Sequence, residues 1–165
     1  MRIGIAQLNT RSDKEENLKT AEKLIDQLAL QGAKLIVLPE HFNFIGPENQ
    51  FQEMSEELQN SPSLERIKNK AIDHGIHIHS GTFLEKTGDK LHNTGVVFDP
   101  TGEIIARYRK IHLFDVEVPG GTKYLESENI TAGEEVVTFT IGSITFGMST
   151  CYDLRFPELY RALTD

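Results

Sequence analysis

Residues 2–38 lay out a strand, a helix and a second strand on short joins, and few folds accommodate that succession. RIGIAQL (2–8) alternates apolar residues with others, as a half-buried strand does. Ser12 and Glu15 have the spacing of a capping box and open a helix. Leu18, Ala21, Leu24, Ile25 and Leu28 follow at intervals of three and four and mark one apolar face. Gly32 supplies the stop after the last turn. LIVL (35–38) is a continuous apolar run, expected of a strand covered on both faces, and Pro39 ends it. Such a βαβ unit has parallel strands and a right-handed crossover. The expected fold class is therefore α/β, with helices packed on a sheet.

The rest of the chain extends the pattern. Ser61-Pro62 reads as an N-cap followed by Pro at the first helical position, and the helix carries Leu64, Ile67 and Ala71 as far as Gly75. IHIHSGTFL (76–84) alternates as one strand. Thr87-Gly88-Asp89 and Asp99-Pro100-Thr101-Gly102 are turn signals on either side of LHNTGVVFD (91–99), with EIIARY (103–108) beyond. Residues 109–133 read as irregular, and a loop of that length inside a compact domain goes with function or disorder. EVVTFTI and SITFGMS are two strands joined at Gly142, and a helix starts at Pro157. Its apolar residues Leu159, Ala162 and Leu163 form an open stripe without a C-cap. An interrupted domain or a frayed terminal helix would each leave that pattern.

Composition sets bounds. A chain of 165 residues supports one domain, 1–165, with a sizeable core. Its 17 Lys+Arg against 25 Asp+Glu give a net charge of −8, which provides no footprint for nucleic acid or an anionic membrane. No apolar run reaches the ~18 residues of a membrane span. The N-terminus turns polar too soon for a signal peptide. A single cysteine, Cys151, forms no intrachain disulfide and no cysteine-cluster zinc site. These features are those of a cytoplasmic protein that needs no metal or other cofactor.

Three residues are candidates for chemistry. Cys151 stands between an apolar strand and a helix, where backbone N–H groups favour negative charge; such a position is expected to lower a thiol pKa from ~8.5 and to offer oxyanion donors. A buried inert cysteine is the plainer reading. Glu40 follows LIVLP directly and so lies at the C-terminal end of a central strand, where catalytic groups collect in α/β sheets. Apolar neighbours are expected to raise its pKa toward that of a general acid or base; otherwise it is an ordinary exposed acid. Lys110, where a strand runs out, would stabilise a thiolate and an oxyanion, or is one more solvated lysine.

Taken together, Leu38-Pro39-Glu40, Tyr108-Arg109-Lys110-Ile111-His112-Leu113-Phe114-Asp115 and Cys151-Tyr152-Asp153-Leu154-Arg155-Phe156-Pro157-Glu158 resemble the three signatures of the nitrilase superfamily of carbon–nitrogen hydrolases. The resemblance runs through the whole chain in family order and spacing. It implies an αββα sandwich, incomplete at the C-terminus here, that pairs as a homodimer in full-length form. It implies a Glu40-Lys110-Cys151 triad acting through a thioester on a small-molecule amide and water. Lys110 and the Tyr152 backbone N–H would hold the oxyanion, and Glu126 would position Lys110 or the substrate. Pro39-Glu40-His41-Phe42-Asn43-Phe44-Ile45 and Asp115-Val116-Glu117-Val118-Pro119-Gly120 are similar to the omega-amidase and deaminated-glutathione amidase branch, which hydrolyses amides of small carboxylate-bearing compounds. Phe42 and Phe44 are then candidate pocket residues, although aromatic residues at alternate positions more often belong to the core. On this reading the chain is an N-terminal portion, poorly stable and weakly active alone.

Other classes stay open. A metal hydrolase would draw on His41, His77, His79 and His112, although no ligand set is complete. A Cys-His hydrolase would pair Cys151 with His112. A non-catalytic interaction module derived from such a hydrolase would keep the motifs without the activity.

Overall fold

The computed structural model describes residues 1–121 and 123–165. β1 (Ile3–Ile5) leads through α1 (Lys14–Leu30) to β2 (Leu35–Val37). β1 and β2 pair in parallel, with Ile3 opposite Leu35, as the βαβ reading requires. The cap differs by one residue. Asp13, not Ser12, is the N-cap of α1, and its carboxylate accepts from Glu16 N at 3.0 Å. Asp caps as well as Ser and adds a negative charge at the positive end of the helix.

A short α2 (Phe51–Met54) and α3 (Pro62–His74) follow. Ser61 Oγ accepts from Leu64 N to cap α3, and Gly75 ends it in the left-handed region at φ 61°. Next come β3 (His77–His79), β4 (Phe83–Thr87), β5 (Lys90–Phe98) and β6 (Ile104–Arg109). With β1 and β2 they form one sheet in the order β1-β2-β3-β5-β4, with β6 on the other edge of β5.

Residues 76–84 are therefore not one strand. β3 and β4 lie in line along one edge of β5, Ile78 opposite Phe98 and Phe83 opposite Thr94, and the line breaks at Gly81, φ 69°. A Cβ at position 81 would stand 1.9 Å from the Pro39 carbonyl oxygen, a separation no side chain survives. The break lets the chain press against the loop that leaves β2. Thr82 N donates to Pro39 O at 3.2 Å, Phe42 N to Thr82 O at 3.0 Å and His41 N to Thr82 Oγ1 at 2.9 Å. The kink thus clamps the segment that carries Glu40.

Residues 109–133 also hold more order than expected. β7 (Asp115–Glu117) and β8 (Lys123–Leu125) form an antiparallel pair. Each is three residues long, too short for a period-two signal to stand out. β9 (Thr138–Ile141) and β10 (Ile144–Gly147) pair around Gly142, and α4 (Pro157–Thr164) closes the chain with Leu159 buried.

The core forms on both faces of the large sheet. Leu18, Ala21 and Ile25 of α1 and Leu64, Ile67 and Ala71 of α3 pack on Ile36, Ile78, Val96 and Phe98. On the opposite face Leu35, Val97, Ala106 and Tyr108 meet Phe139 of β9 and Met148. Leu35 and Ile36 point to opposite faces, which is why β2 is apolar throughout. Each fully buried Leu, Ile, Val, Phe or Met among them contributes roughly 1.5–3 kcal/mol. Among the described residues, no helix is long and apolar enough to cross a membrane.

His79 makes the stability of this sheet depend on pH. Its Nδ1 accepts from Gly81 N at 3.0 Å, and burial pushes its pKa down to about 4. In the unfolded chain the ring titrates near ~6.5. Between those values the unfolded state binds more protons, so stability is fully present above the unfolded pKa and falls as pH drops toward the folded one. The slope is up to about 1.4 kcal/mol per pH unit. Urea unfolding at pH 7 and pH 4.5 should show the parent losing stability relative to His79→Asn, which keeps an acceptor but does not titrate. Equal losses in both proteins would refute the assignment.

Candidate active site

Three stretches remote in sequence converge where β2, β6 and β10 end. Glu40 and His41 follow β2 and are held by the Thr82 contacts, with His41 in the left-handed region at φ 50°. Lys110 follows β6 directly. Its N–H donates to Asn93 O and its carbonyl accepts from Gly133 N, both at 2.9 Å, so the backbone is tied on both sides. Its side chain is 2% exposed, and Nζ donates to Glu126 Oε2 at 2.8 Å and Glu40 Oε1 at 3.2 Å. Glu126, after β8, also accepts from Phe114 N at 2.7 Å.

Cys151 opens a short 3-10 turn, Cys151–Arg155, at φ 51°. A non-glycine residue there is strained, as expected of a nucleophile presented on a sharp strand-to-helix elbow. The residue is exposed as a whole and its thiol only partly desolvated, which does not fit a buried inert cysteine. Asp153 holds the turn. Fully buried, it accepts from Thr150 N at 2.9 Å and Tyr108 Oη at 2.6 Å through one oxygen. Its other oxygen bonds His112 N at 2.9 Å and His112 Nδ1 at 2.7 Å. Sequence reasoning missed Asp153, although Thr150 and Asp153 have capping-box spacing.

The electrostatics reverse two expectations. Burial pulls the Glu40 pKa up, but His41, Lys110, the Cys151 thiol and the Asn93 amide together hold it below the ordinary carboxylate value. Burial, the Glu40 charge and hydrogen bonding to Glu40 push the Cys151 thiol up, against the pull of Lys110. The elbow alone favours a thiolate; burial and the Glu40 charge outweigh it. Burial disfavours the Lys110 ammonium, yet Glu126 and Glu40 raise its pKa and keep it charged. The site at rest is a thiol, an ionised carboxylate and an ammonium.

These heads line a cavity of about 290 Å³ walled by Phe51, Phe114, Tyr124 and Ile130. Phe42 and Phe44 are not in it. Phe42 is wholly buried in the core under α1 and α3, and Phe44 packs with Leu84, Leu91 and Ile130 behind the cavity wall. Among the described residues, no protein acceptor takes the Tyr152 backbone N–H, and the Tyr152 ring packs edge-on to Phe114 at 5.1 Å. His112 is held by Asp153, stacks on Phe156 at 3.7 Å and does not line the cavity. Glu40, His41 and Glu126 bring ligand-type atoms within 4.8 Å of one another. Both carboxylates already accept from the Lys110 ammonium, which supplies the local positive charge, and we identify no metal ligands among them.

Compared with known families, residues 2–165 match the carbon–nitrogen hydrolase model. The chain belongs to the carbon–nitrogen hydrolase family. The chloroplastic omega-amidase of Arabidopsis thaliana is 40% identical to this hydrolase chain over 163 residues, covering 95% of it and 44% of the relative. The crystal structure of Saccharomyces cerevisiae Nit3, from branch 10 of the nitrilase superfamily, superposes with a TM-score of 0.84 at 32% identity, over 98% of this chain and 59% of that one. An amidase from Nesterenkonia sp. AN1 with acrylamide added at its active site cysteine superposes with a TM-score of 0.83 at 26% identity, over 98% of this chain and 61% of that one. The carbon–nitrogen hydrolase chain spans about half the length of the curated relatives it matches and has the α/β fold of the nitrilase superfamily over that span.

Proposed function

We propose that this chain carries the chemistry of an amidase that cleaves the C–N bond of a small carboxylate-bearing amide through a thioester on Cys151, releasing ammonia. The observation that carries the reading is the Lys110 ammonium bonded to both Glu40 and Glu126 at the cavity that Cys151 lines. The sulfur is protonated at rest and Glu40 is ionised, so Glu40 takes the thiol proton as the sulfur attacks the amide carbon. The carbonyl electrons move onto oxygen, where Lys110 Nζ and the Tyr152 N–H are the donors. Loss of one such donor typically costs roughly 2.7–4 kcal/mol of transition-state stabilisation. The proton on Glu40 passes to the leaving nitrogen, and ammonia departs as the thioester forms. Glu40 then draws a proton from water, whose oxygen attacks the thioester and frees the acid and the thiol. A cavity of about 290 Å³ suits a small substrate. The 40% identity to an omega-amidase supports the choice of a carboxylate-bearing amide.

Ammonia release from glutaramate, α-ketoglutaramate and deaminated glutathione tests the reading, with intact-mass detection of an acyl adduct. Turnover and an adduct are expected in the parent, and neither in Cys151→Ala. Turnover that survives in Cys151→Ala but stops with a chelator would replace cysteine chemistry with metal chemistry. Absence of both turnover and adduct would favour a non-catalytic module.

A further inference from the structure

Asn93 lies in the middle of β5 and is 1% exposed, on the strand face it shares with Leu91 and Val97. A polar side chain in a buried apolar row needs partners. Its Nδ2 donates to Glu40 Oε1 at 2.7 Å and lies 3.4 Å from His41 Nε2. Its backbone carbonyl accepts the Lys110 N–H at 2.9 Å. One residue therefore holds the side chain of the acid and the main chain of the ammonium. Its Oδ1, by contrast, is buried without a hydrogen-bond partner among the described residues.

The unpartnered oxygen is informative because reversing the amide would be worse. Oδ1 would then face Glu40 Oε1, and two acceptors would touch unless the carboxyl carried a proton. The observed orientation, with the amide nitrogen on Oε1, goes with an ionised Glu40. Asn93 and Lys110 both bond Oε1 of Glu40. The other oxygen takes no bond from either of them, and Glu40 lines the same cavity as Cys151.

We propose that Asn93 is a positioning residue that fixes Glu40 by one oxygen, so that the other is free to take the Cys151 proton. This rests on the reading of Glu40 as the general base. The groups that face Glu40 are His41, Lys110, Cys151 and, across Lys110, Glu126. Of the groups that keep Glu40 ionised, the Asn93 amide is neutral and takes no part in the proposed bond making, so it can be removed without changing the charge of the site.

The test is the pH dependence of Cys151 alkylation by iodoacetamide on the whole chain, followed by intact mass, which needs no turnover. The parent should show an acid inflection that Glu40→Gln removes. Asn93→Ala should move that inflection up by about one pH unit, slowing alkylation about tenfold below it with little change at pH 8. Asn93→Asp, nearly isosteric, should move it further because it adds a like charge, and it tests the idea if the alanine variant fails to fold. A merely structural role would lower the rate at all pH values without moving the midpoint, and that result would overturn the proposal for Asn93 alone. A parent profile that Glu40→Gln leaves unaltered would overturn the general-base reading and this inference with it.

Discussion

Lys110→Met will lose turnover by ~10³-fold or more and destabilise the fold by about 3 kcal/mol at pH 7. The side chain is 2% exposed and is bonded to two carboxylates, with Glu126 16% and Glu40 26% exposed. Methionine fills the volume but leaves two like charges beside one small cavity. Breaking a buried ion pair from one side typically costs ~3–5 kcal/mol, and the partial solvent access of both acids places this case at the lower end. Activity falls further than one missing oxyanion donor implies, because the loss of Lys110 also raises the Glu40 pKa and removes part of the ionised base. In the variant the folded-state carboxylate pKa is raised above its unfolded value. Its stability deficit is therefore largest at neutral pH and shrinks as pH falls and one acid takes up a proton. Urea unfolding at pH 7 and pH 5, with ammonia release at pH 7, measures both. A variant as stable as the parent at pH 7 would mean that the ammonium does not hold the two acids.

Gly81→Ala is expected to cost about 2–4 kcal/mol and to lower activity by ~10²-fold or more, although residue 81 has no chemistry of its own. Two effects combine. The left-handed φ of 69° penalises any side chain, and a Cβ would stand 1.9 Å from the Pro39 carbonyl oxygen. That oxygen belongs to backbone, so the loop after β2 must move. Thr82 binds the same loop through Pro39, His41 and Phe42, and the displacement therefore reaches Glu40. Gly142→Ala is the control. It shares the left-handed conformation, φ 62°, but a Cβ there meets nothing within 4 Å. It should cost only ~1 kcal/mol and leave activity unchanged. Equal losses from the two variants, in calorimetric melts and in ammonia release, would show that the approach to Pro39 is unimportant.

What could be read in the sequence followed from local patterns with a single interpretation. The βαβ unit, the Ser61 cap with Pro62, the hairpin at Asp99–Gly102 and the elbow before Pro157 each needed only neighbours in the chain. The convergence of Glu40, Lys110 and Cys151 was legible through their three signature segments. Features that depend on distant partners were not. The break at Gly81 is imposed by Pro39, and the directions of the Cys151 and Glu40 shifts depend on charges that meet only in the fold. The alternation of Phe42 and Phe44 fits a pocket or, more often, a core, and in the fold both turn inward to the core. Asn93 left one trace, a polar residue in an otherwise apolar strand face. Nothing near it in the sequence indicated Glu40 as its partner.

The ammonium that joins two acids has a consequence for how charge travels during a turnover. On the proposed mechanism, the proton that passes from sulfur to Glu40 removes one negative charge from the carboxylate while another grows on the carbonyl oxygen, around the same cation. Lys110 is a hub about which the charge swings while the net total stays constant. Little dielectric rearrangement of the surroundings is then required, and the rate of the bond-making step should be nearly indifferent to added salt.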